Sequence, residues 1–427
     1  MQKKFLVGIS ILLMHQTVYG IFPINLFRYD LILLQPQRWR TKQLECNILV
    51  ESSLDMRACN GREDTLNQLD DNNNCLPRQQ CGNVLQLWDT TQDALTMIRG
   101  FDPESEIGQL AAKLNMASDD GVRGHFLATA NLQATDLTFI ARCYLPCSFF
   151  ASLYVPFYFM QLKNVALEDL TQDITFEDQL VKRYLTSDFI ARVKELGGLN
   201  IGPWQRSGLG DIVATIGWQH DFFQNKPILK DVYVQLRGGF TLPSGLQTDI
   251  DQFFSIPFGN DGAAGMFVGG SLIVTLGSHF RAGLDAQFLN IFDHTKERRI
   301  KTAAGQSDLL FLGKTLASRD YGITQEYILF LEGYRLAGGF SFKVAYDYLR
   351  HNDDQLYLRS NQFSTTIANT ARNLEEWTIH NFIFMVEGDW RDACAKGPRV
   401  ELFAKVPFNG KRSVQATTVG AQFSYSF

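Results

Sequence analysis

Apolar and polar residues alternate with a period of two through most of the chain. Residues 279–291 put Phe280, Ala282, Leu284, Ala286 and Phe288 on one side, and Arg281, Gly283, Asp285 and Gln287 on the other. In 230–242, Val232, Val234, Leu236 and Phe240 oppose Tyr233, Gln235, Arg237 and Thr241. In 339–350, Phe340, Phe342, Val344, Tyr346 and Tyr348 oppose Ser341, Lys343 and Asp347. Residues 398–407 divide Val400, Leu402 and Val406 from Arg399, Glu401 and Lys405, and 43–53 divide Leu44, Cys46, Ile48 and Val50 from Glu45, Asn47 and Glu51. Such alternation marks strands with one apolar face. Counted this way, twelve segments read as strands: 43–53, 124–145, 148–162, 209–223, 230–242, 263–276, 279–291, 322–336, 339–350, 376–390, 398–407 and 413–427.

The connections alternate in length. Those at 146–147, 224–229, 277–278, 337–338 and 391–397 are short, and those at 54–123, 163–208, 243–262, 292–321 and 351–375 are long. Short turns on one side and long loops on the other are what a transmembrane up-and-down antiparallel β-barrel requires. Asn409–Arg412 is the exception, a short connection on the long-loop side. The chain opens with Lys3 and Lys4, an apolar run from Phe5 to Met14, then Val18 and Gly20. That order predicts a signal peptide over 1–20, a periplasmic segment over 21–42 and a barrel over 43–427. No later stretch reaches the roughly 18 uncharged apolar residues of a spanning helix, and a closed barrel is the other structure that satisfies its backbone in lipid. A soluble β-sandwich also alternates, but it calls for neither an export leader nor alternating loop lengths.

The final strand carries Val419, Ala421, Phe423, Tyr425 and Phe427 on one face. Ending a chain on that pattern resembles the closing strand of bacterial outer-membrane barrels, and the resemblance implies that Phe427 is read by the barrel assembly machinery. The expected fold is an all-β barrel of about 12 strands (12–14), residing in the bacterial outer membrane with lipid around it.

Three segments strain the pattern. In 124–145 the apolar series Phe126, Ala128, Ala130, Leu132 changes phase before Leu137, Phe139, Ala141 and Cys143, which predicts a β-bulge between Ala134 and Leu137, or else two strands. Pro156 lies inside 148–162 and predicts a bulge or strand end beside it. Residues 176–196 have helical spacing and stop at Gly197-Gly198, so the second long loop is expected to hold a helix over the mouth or in the lumen.

Composition changes the picture little. Gly at 34, Phe at 33 and Tyr at 14 suit a barrel, and 40 basic residues against 45 acidic ones argue against nucleic-acid partners. The seven cysteines leave at least one unpaired. A loop disulfide between two of Cys59, Cys75 and Cys81 is the expectation, since the surrounding loop, with Asp70, Asp71 and Asn72, has little core. A metal site there lacks a Cys-x-x-Cys pair or a nearby His. No nucleotide, hydrolase-elbow or zinc-protease motif occurs, so neither a cofactor nor catalysis is expected. The enzyme alternative is an outer-membrane phospholipase, with His380 on the face of Phe382, Phe384 and Val386, yet no Ser partner can be named for it.

The segment Gly208-Leu209-Gly210-Asp211 and the later Arg237-Gly238-Gly239-Phe240-Thr241-Leu242-Pro243-Ser244-Gly245 resemble outer-membrane proteins associated with phenol meta-pathway degradation and, more distantly, long-chain fatty acid transporters. That resemblance spans about residues 205–290 and implies uptake of small, often apolar, molecules. Kinked glycines explain the same motifs structurally. A barrel of about twelve strands leaves a narrow or partly plugged pore. Its expected pore-lining residues are Arg237, Arg281, Asp285, Lys343, Asp347, Glu387, Arg399 and Glu401. The inner face carries ten acids and six bases, which favours cations or neutral solutes if the lumen is wet. If it is dry, they form a paired structural network. The sequence therefore reads as an outer-membrane channel or porin for small solutes, with a surface structural or adhesion barrel as the alternative; it leaves the oligomeric state open.

Overall fold

The computed structural model describes residues 44–53, 56–59, 81–115, 120–224, 226–337, 339–390 and 396–427. The expected leader and periplasmic segment, together with Cys75 and Cys394, lie outside the described residues. Twelve strands form the wall: β1 (Leu44–Ser53), β2 (His125–Tyr144), β3 (Phe149–Asp169), β4 (Ile212–Phe223), β5 (Leu229–Leu242), β6 (Gly265–Leu276), β7 (Phe280–Ile291), β8 (Thr324–Ala337), β9 (Phe340–His351), β10 (Trp377–Asp389), β11 (Gly397–Lys411) and β12 (Thr418–Ser426). Each pairs antiparallel with its neighbours in sequence. β1 also pairs with β12, with Ile48 opposite Phe423 on one side and Phe139 on the other, so the ring closes and leaves no edge.

The faces divide as the alternation predicts. Leu284 on β7 is flanked by Leu272 and Leu329 on the adjoining strands, and all three are exposed on the outside of the ring. The charged partners of the alternation point inward and most are buried. A belt of apolar side chains running round a closed ring is stable only against hydrocarbon. The chain is thus a transmembrane barrel of the outer-membrane type.

Two expectations are corrected. No bulge separates Ala134 from Leu137 and 124–145 is not two strands, because the β2 register against β1 is unbroken from Ala134 to Cys143 and against β3 from Asn131 to Tyr144. Even-numbered side chains point inward along the whole strand, Phe126 to Leu132 as well as Asp136 to Tyr144. What inverts is the surroundings. Twenty residues exceed the nine to eleven a tilted strand needs to span a bilayer; beyond the lipid the outer face meets water, and the inner face meets protein core instead of a polar lumen. The register shift falls higher, between Thr129 and Asn131. The second correction concerns 413–427. Ser413–Gln415 leaves the wall to pair with Arg57–Cys59, which pairs in turn with Cys81–Asn83. The closing strand begins at Thr418, while β11 runs on through the connection expected at Asn409.

Other irregular segments behave as their residues require. The β3 pairing with β4 stops at Tyr154, and pairing resumes at Phe157 with the short strand Trp204–Leu209. Pro156, which has no N–H, sits in that gap, and its carbonyl accepts from Gly210 N at 2.9 Å. The helix expected in the second long loop exists as Phe176–Val181, one π turn and Phe189–Gly197. Thr175 caps its start through Asp178 N, and Gly198 ends it at φ 63°. Its buried face packs Phe189 on Phe126 with ring centroids 4.0 Å apart. The ladder sets the backbone of Cys59 across from Cys81, while Cys46, Cys143 and Cys147 are free.

Leu284→Arg places a charge at the centre of the apolar belt and should lower stability by about 2–4 kcal/mol, read as unfolding in lipid vesicles by urea titration. An unchanged midpoint would mean that this face does not meet hydrocarbon.

Candidate functional site

The barrel presents two polar regions that bear on function, the lumen and a cavity at its long-loop end. In the lumen all eight residues expected to line a pore point inward, and seven of them are buried. They meet other inward side chains rather than solvent. Arg237 on β5 reaches across β6 to Asp285 on β7, with contacts of 2.7 and 2.9 Å, and also donates to Gln287 Oε1 at 2.9 Å and Ser271 Oγ at 3.2 Å. Arg281 turns instead to Glu332 at 3.7 Å and lies 3.4 Å from the Tyr334 ring centre. Arg281 and Asp285, four residues apart on one strand, therefore belong to different pairs. Lys343 stands 4.0 Å from the same Glu332. Asp347 accepts from Lys405 and Asn381, each at 2.8 Å, and Arg399 pairs with Glu401 at 2.8 Å, with Glu387 directly across from Glu401.

The Arg237 side chain is fully shielded from water and that of Asp285 is 5% exposed. Buried charge is tolerated where it is paired and hydrogen-bonded, and of the wet and dry alternatives this layer matches the paired network. Pairing is incomplete. Glu326 Oε2, Asp347 Oδ1 and Glu401 Oε2 are buried without a hydrogen-bond partner.

Above the lumen, the loops and the upper ends of the strands line a partly open cavity of about 260 Å³. A second small sheet, His294–Ile300, Gly313–Asp320 and Gln355–Leu358, supplies one side, and the segment between β5 and β6 supplies another. Trp88, Phe253, Phe254, Phe311 and Trp377 give it an aromatic lining. Charge sits among them in compact groups. Asp261 binds Lys296 and, at 3.1 Å, Arg298. Asp354 accepts from Gly322 N at 2.7 Å, Arg319 Nε at 2.9 Å and His351 Nε2 at 2.9 Å. His351 Nδ1 lies 2.7 Å from Thr324 Oγ1, and its ring stacks on Trp377. Burial alone would raise the Asp354 carboxyl, but Arg319, His351 and the Gly322 N–H hold it down to about 2.

The two glycine-rich motifs meet beside this cavity. Asp211, from the first, accepts from Gly245 N of the second at 2.9 Å and from Asn260 N at 2.6 Å. Ser244 Oγ accepts from Ile212 N and donates to Gly210 O at 3.0 Å. A Cβ on Gly259 would stand 2.3 Å from the Asp211 carboxylate, so glycine there is a matter of space. The motifs thus fasten the cavity wall to the break in the barrel between Trp204–Leu209 and β4. Periodicity did not disclose the cavity, since its residues come from non-repeating loops. One signal was available: Lys296, Arg298 and Ile300 alternate with Glu297 and Arg299 in what the connection lengths mark as loop.

His380 faces outward. Its Nδ1 meets Tyr346 Oη at 2.7 Å, and the ring lies against Tyr348 and Phe408. It belongs to an aromatic cluster on the outer wall. Among the described residues no group of three His, Cys, Asp or Glu side chains could hold a metal ion.

Neither a family model nor a curated protein sequence matches the chain. Among solved structures it is similar to the COG4313 outer membrane channel from Pseudomonas putida F1, at 10% identity over 92% of this chain and 97% of that one, with a TM-score of 0.49. It is also similar to the CymD monoaromatic hydrocarbon channel (9% identity, 91% and 89% covered, TM-score 0.29) and to a FadL homologue from Pseudomonas aeruginosa (8% identity, 90% and 89% covered, TM-score 0.30). The barrel assignment itself stands on the strand register.

Arg237→Met leaves Asp285 buried without its partner and should cost about 3–5 kcal/mol, whereas the double variant Arg237→Met/Asp285→Leu should regain most of it. Urea titrations of the three proteins in lipid decide this, and an additive double variant would remove the pair from the account.

Asp354 titrates below its ordinary value of 3.8, so its contribution is complete above that pH and is lost as pH falls towards about 2. Tryptophan fluorescence over this window should show the cavity region loosening in the natural protein. Asp354→Asn should flatten that dependence; an identical acid profile would show that Asp354 contributes nothing to it.

Proposed function

We propose that the chain is a passive outer-membrane channel of porin type that admits small solutes through the cavity at its long-loop end. The observation that carries this reading is the cavity itself, about 260 Å³ lined by loops at the upper ends of β7, β9 and β10. Concave, mainly apolar sites with a few fixed polar groups are where small molecules bind. Below it, Arg237, Arg281, Asp285, Lys343, Asp347, Glu387, Arg399 and Glu401 make the polar wall that a solute meets when the paired network yields. A purely adhesive or structural barrel has no use for a concave, aromatic-lined cavity at the mouth. The hydrolase alternative is disfavoured by the contacts of His380, which bind it to Tyr346 and aromatic rings.

Reconstituted in liposomes, the full chain should speed equilibration of small solutes over protein-free vesicles, and Phe254→Ala, which trims the cavity wall, should speed it further. Absence of excess flux from correctly folded protein, with or without the substitution, would favour the structural reading.

Phe427 is proposed as the assembly signal. Its N–H bonds to Leu44 O at 3.0 Å, so it also completes the seam between the two ends of the barrel. Phe427→Ser should reduce the heat-modifiable inserted fraction in cells, and more than it reduces refolding of the purified chain into detergent. Equal effects in both would assign the residue to the seam alone.

A further inference from the structure

Positive charge is unevenly balanced along the walls of the cavity. Seven Lys or Arg residues line it against five Asp or Glu residues. Most of these bases reach a carboxylate of their own: Lys301 has Asp308, Arg319 has Asp354, and Arg412 has Glu375. Arg299 and Arg372 reach out of the lining to Asp251 and Asp89. Lys296 and Arg298 both depend on the single carboxylate of Asp261, which also accepts from Thr248 N. That carboxylate cannot neutralise two cations.

Arg298 is also short of hydrogen-bond partners. Its side chain is 9% exposed, it lines the cavity, and its Nε N–H has no acceptor. Its remaining contacts are long, 3.3 Å to Tyr321 Oη and 3.4 Å to His294 O. Buried guanidinium donors are ordinarily satisfied, and the acceptor with the right charge and fork geometry for an arginine is a carboxylate.

We propose that this corner of the cavity is an anion site and that the solute it takes is a compact aromatic or alicyclic monocarboxylate. Asp261 holds the Nη1 of Arg298, so the carboxylate takes the Nε and Nη2 edge of that guanidinium, beside Lys296, and the ring packs among the aromatic side chains of the wall. One charge suits this corner, where two cations share the single carboxylate of Asp261. Size follows from the cavity, which at about 260 Å³ lies just under the 300–1,000 Å³ of sites for drug-sized ligands. It accommodates one ring with a short substituent rather than a long alkyl chain. Burial lowers the pKa of Lys296, and Asp261 offsets this only in part; a bound carboxylate supplies the missing compensation. The inference names the solute class for the site given above and rests on that reading of the cavity.

The test is a calorimetric titration of the purified full-length barrel in detergent with benzoate, benzyl alcohol and palmitate. Benzoate should bind at least about tenfold more tightly than benzyl alcohol, because the alcohol forgoes the charge-assisted contacts, and palmitate should bind no more tightly than benzoate. Arg298→Met and Lys296→Met should each weaken benzoate binding by about tenfold and leave benzyl alcohol unchanged. Arg298→Lys, which keeps the charge if the methionine variant disturbs the loops, should retain part of the preference. Equal affinity for the acid and the alcohol, tighter binding of palmitate, indifference to both methionine variants, or no binding of benzoate would each overturn the proposal. Benzoate binding without flux in liposomes would retain the anion site and refute the channel. Flux without benzoate binding would do the reverse.

Discussion

Closure of the hydrogen-bonded ring is the constraint on which the rest of the structure depends. Inside a bilayer every backbone N–H and C=O needs a partner within the protein, and a sheet meets that demand only when its first strand meets its last. Here β1 and β12 complete the ring along nine residue pairs, from Glu45 with Ser426 to Ser53 with Thr418. Once the ring is closed, the two-residue period admits one arrangement of faces. Moving any strand by a single residue would turn its Phe and Leu side chains into the lumen and its Arg and Asp into lipid. The register of all twelve strands is therefore held jointly by the membrane and by the pairs within.

The same closure creates the electrostatic problem of the lumen. A ring of twelve strands is too narrow to give each inward charge its own water, so the charges must solvate one another. Arg237 does so across an intervening strand, and Ser271 on that strand takes part in the contact. Six bases do not match the acids on this wall, and the unpartnered oxygens of Glu326, Asp347 and Glu401 are where the mismatch collects. A network with such defects is easier to rearrange than a fully satisfied one, because each orphaned acceptor is already without its full hydrogen bonding. For a barrel whose proposed work is passage, that incompleteness is a usable property.

How far the sequence disclosed this arrangement depended on whether a periodic constraint acted. Where lipid lies on one side and polar lumen on the other, alternation in 279–291 or 339–350 stated both the strand and its faces. Where the strand rises out of the membrane, the rule changes without any change in the backbone. The apolar residues Phe126 to Leu132 and Leu137 to Cys143 occupy opposite faces because the outer medium passes from lipid to water, and alternation alone could not distinguish that from a bulge. The lumen residues were legible as inward-facing but their partners were not, since partnership between Arg237 and Asp285 is set by ring geometry rather than by sequence separation. The cavity was hidden but for the alternation at Lys296 to Ile300. Asp261, Lys296, Arg298, Arg319 and Asp354 converge from three connections that share no period, and meet His351 at the end of β9.

The glycine-rich motifs join these two regimes. They suggested a family likeness on short matches, yet their physical content is local: Asp211 needs two backbone donors, and those donors reach it only because Gly245 and Gly259 present no side chain. Pro156 on the adjacent strand supplies a carbonyl to Gly210 where the wall is interrupted, and lacks the N–H that would otherwise stand unpaired there. A proline, three glycines and one aspartate thus let the regular ladder stop and an irregular segment take over the wall with the Gly210 N–H and the Asp211 carboxylate both satisfied. That substitution of loop for ladder is what gives the barrel a loop-walled cavity at its mouth, since a wall built of strands alone would continue outward as a plain cylinder.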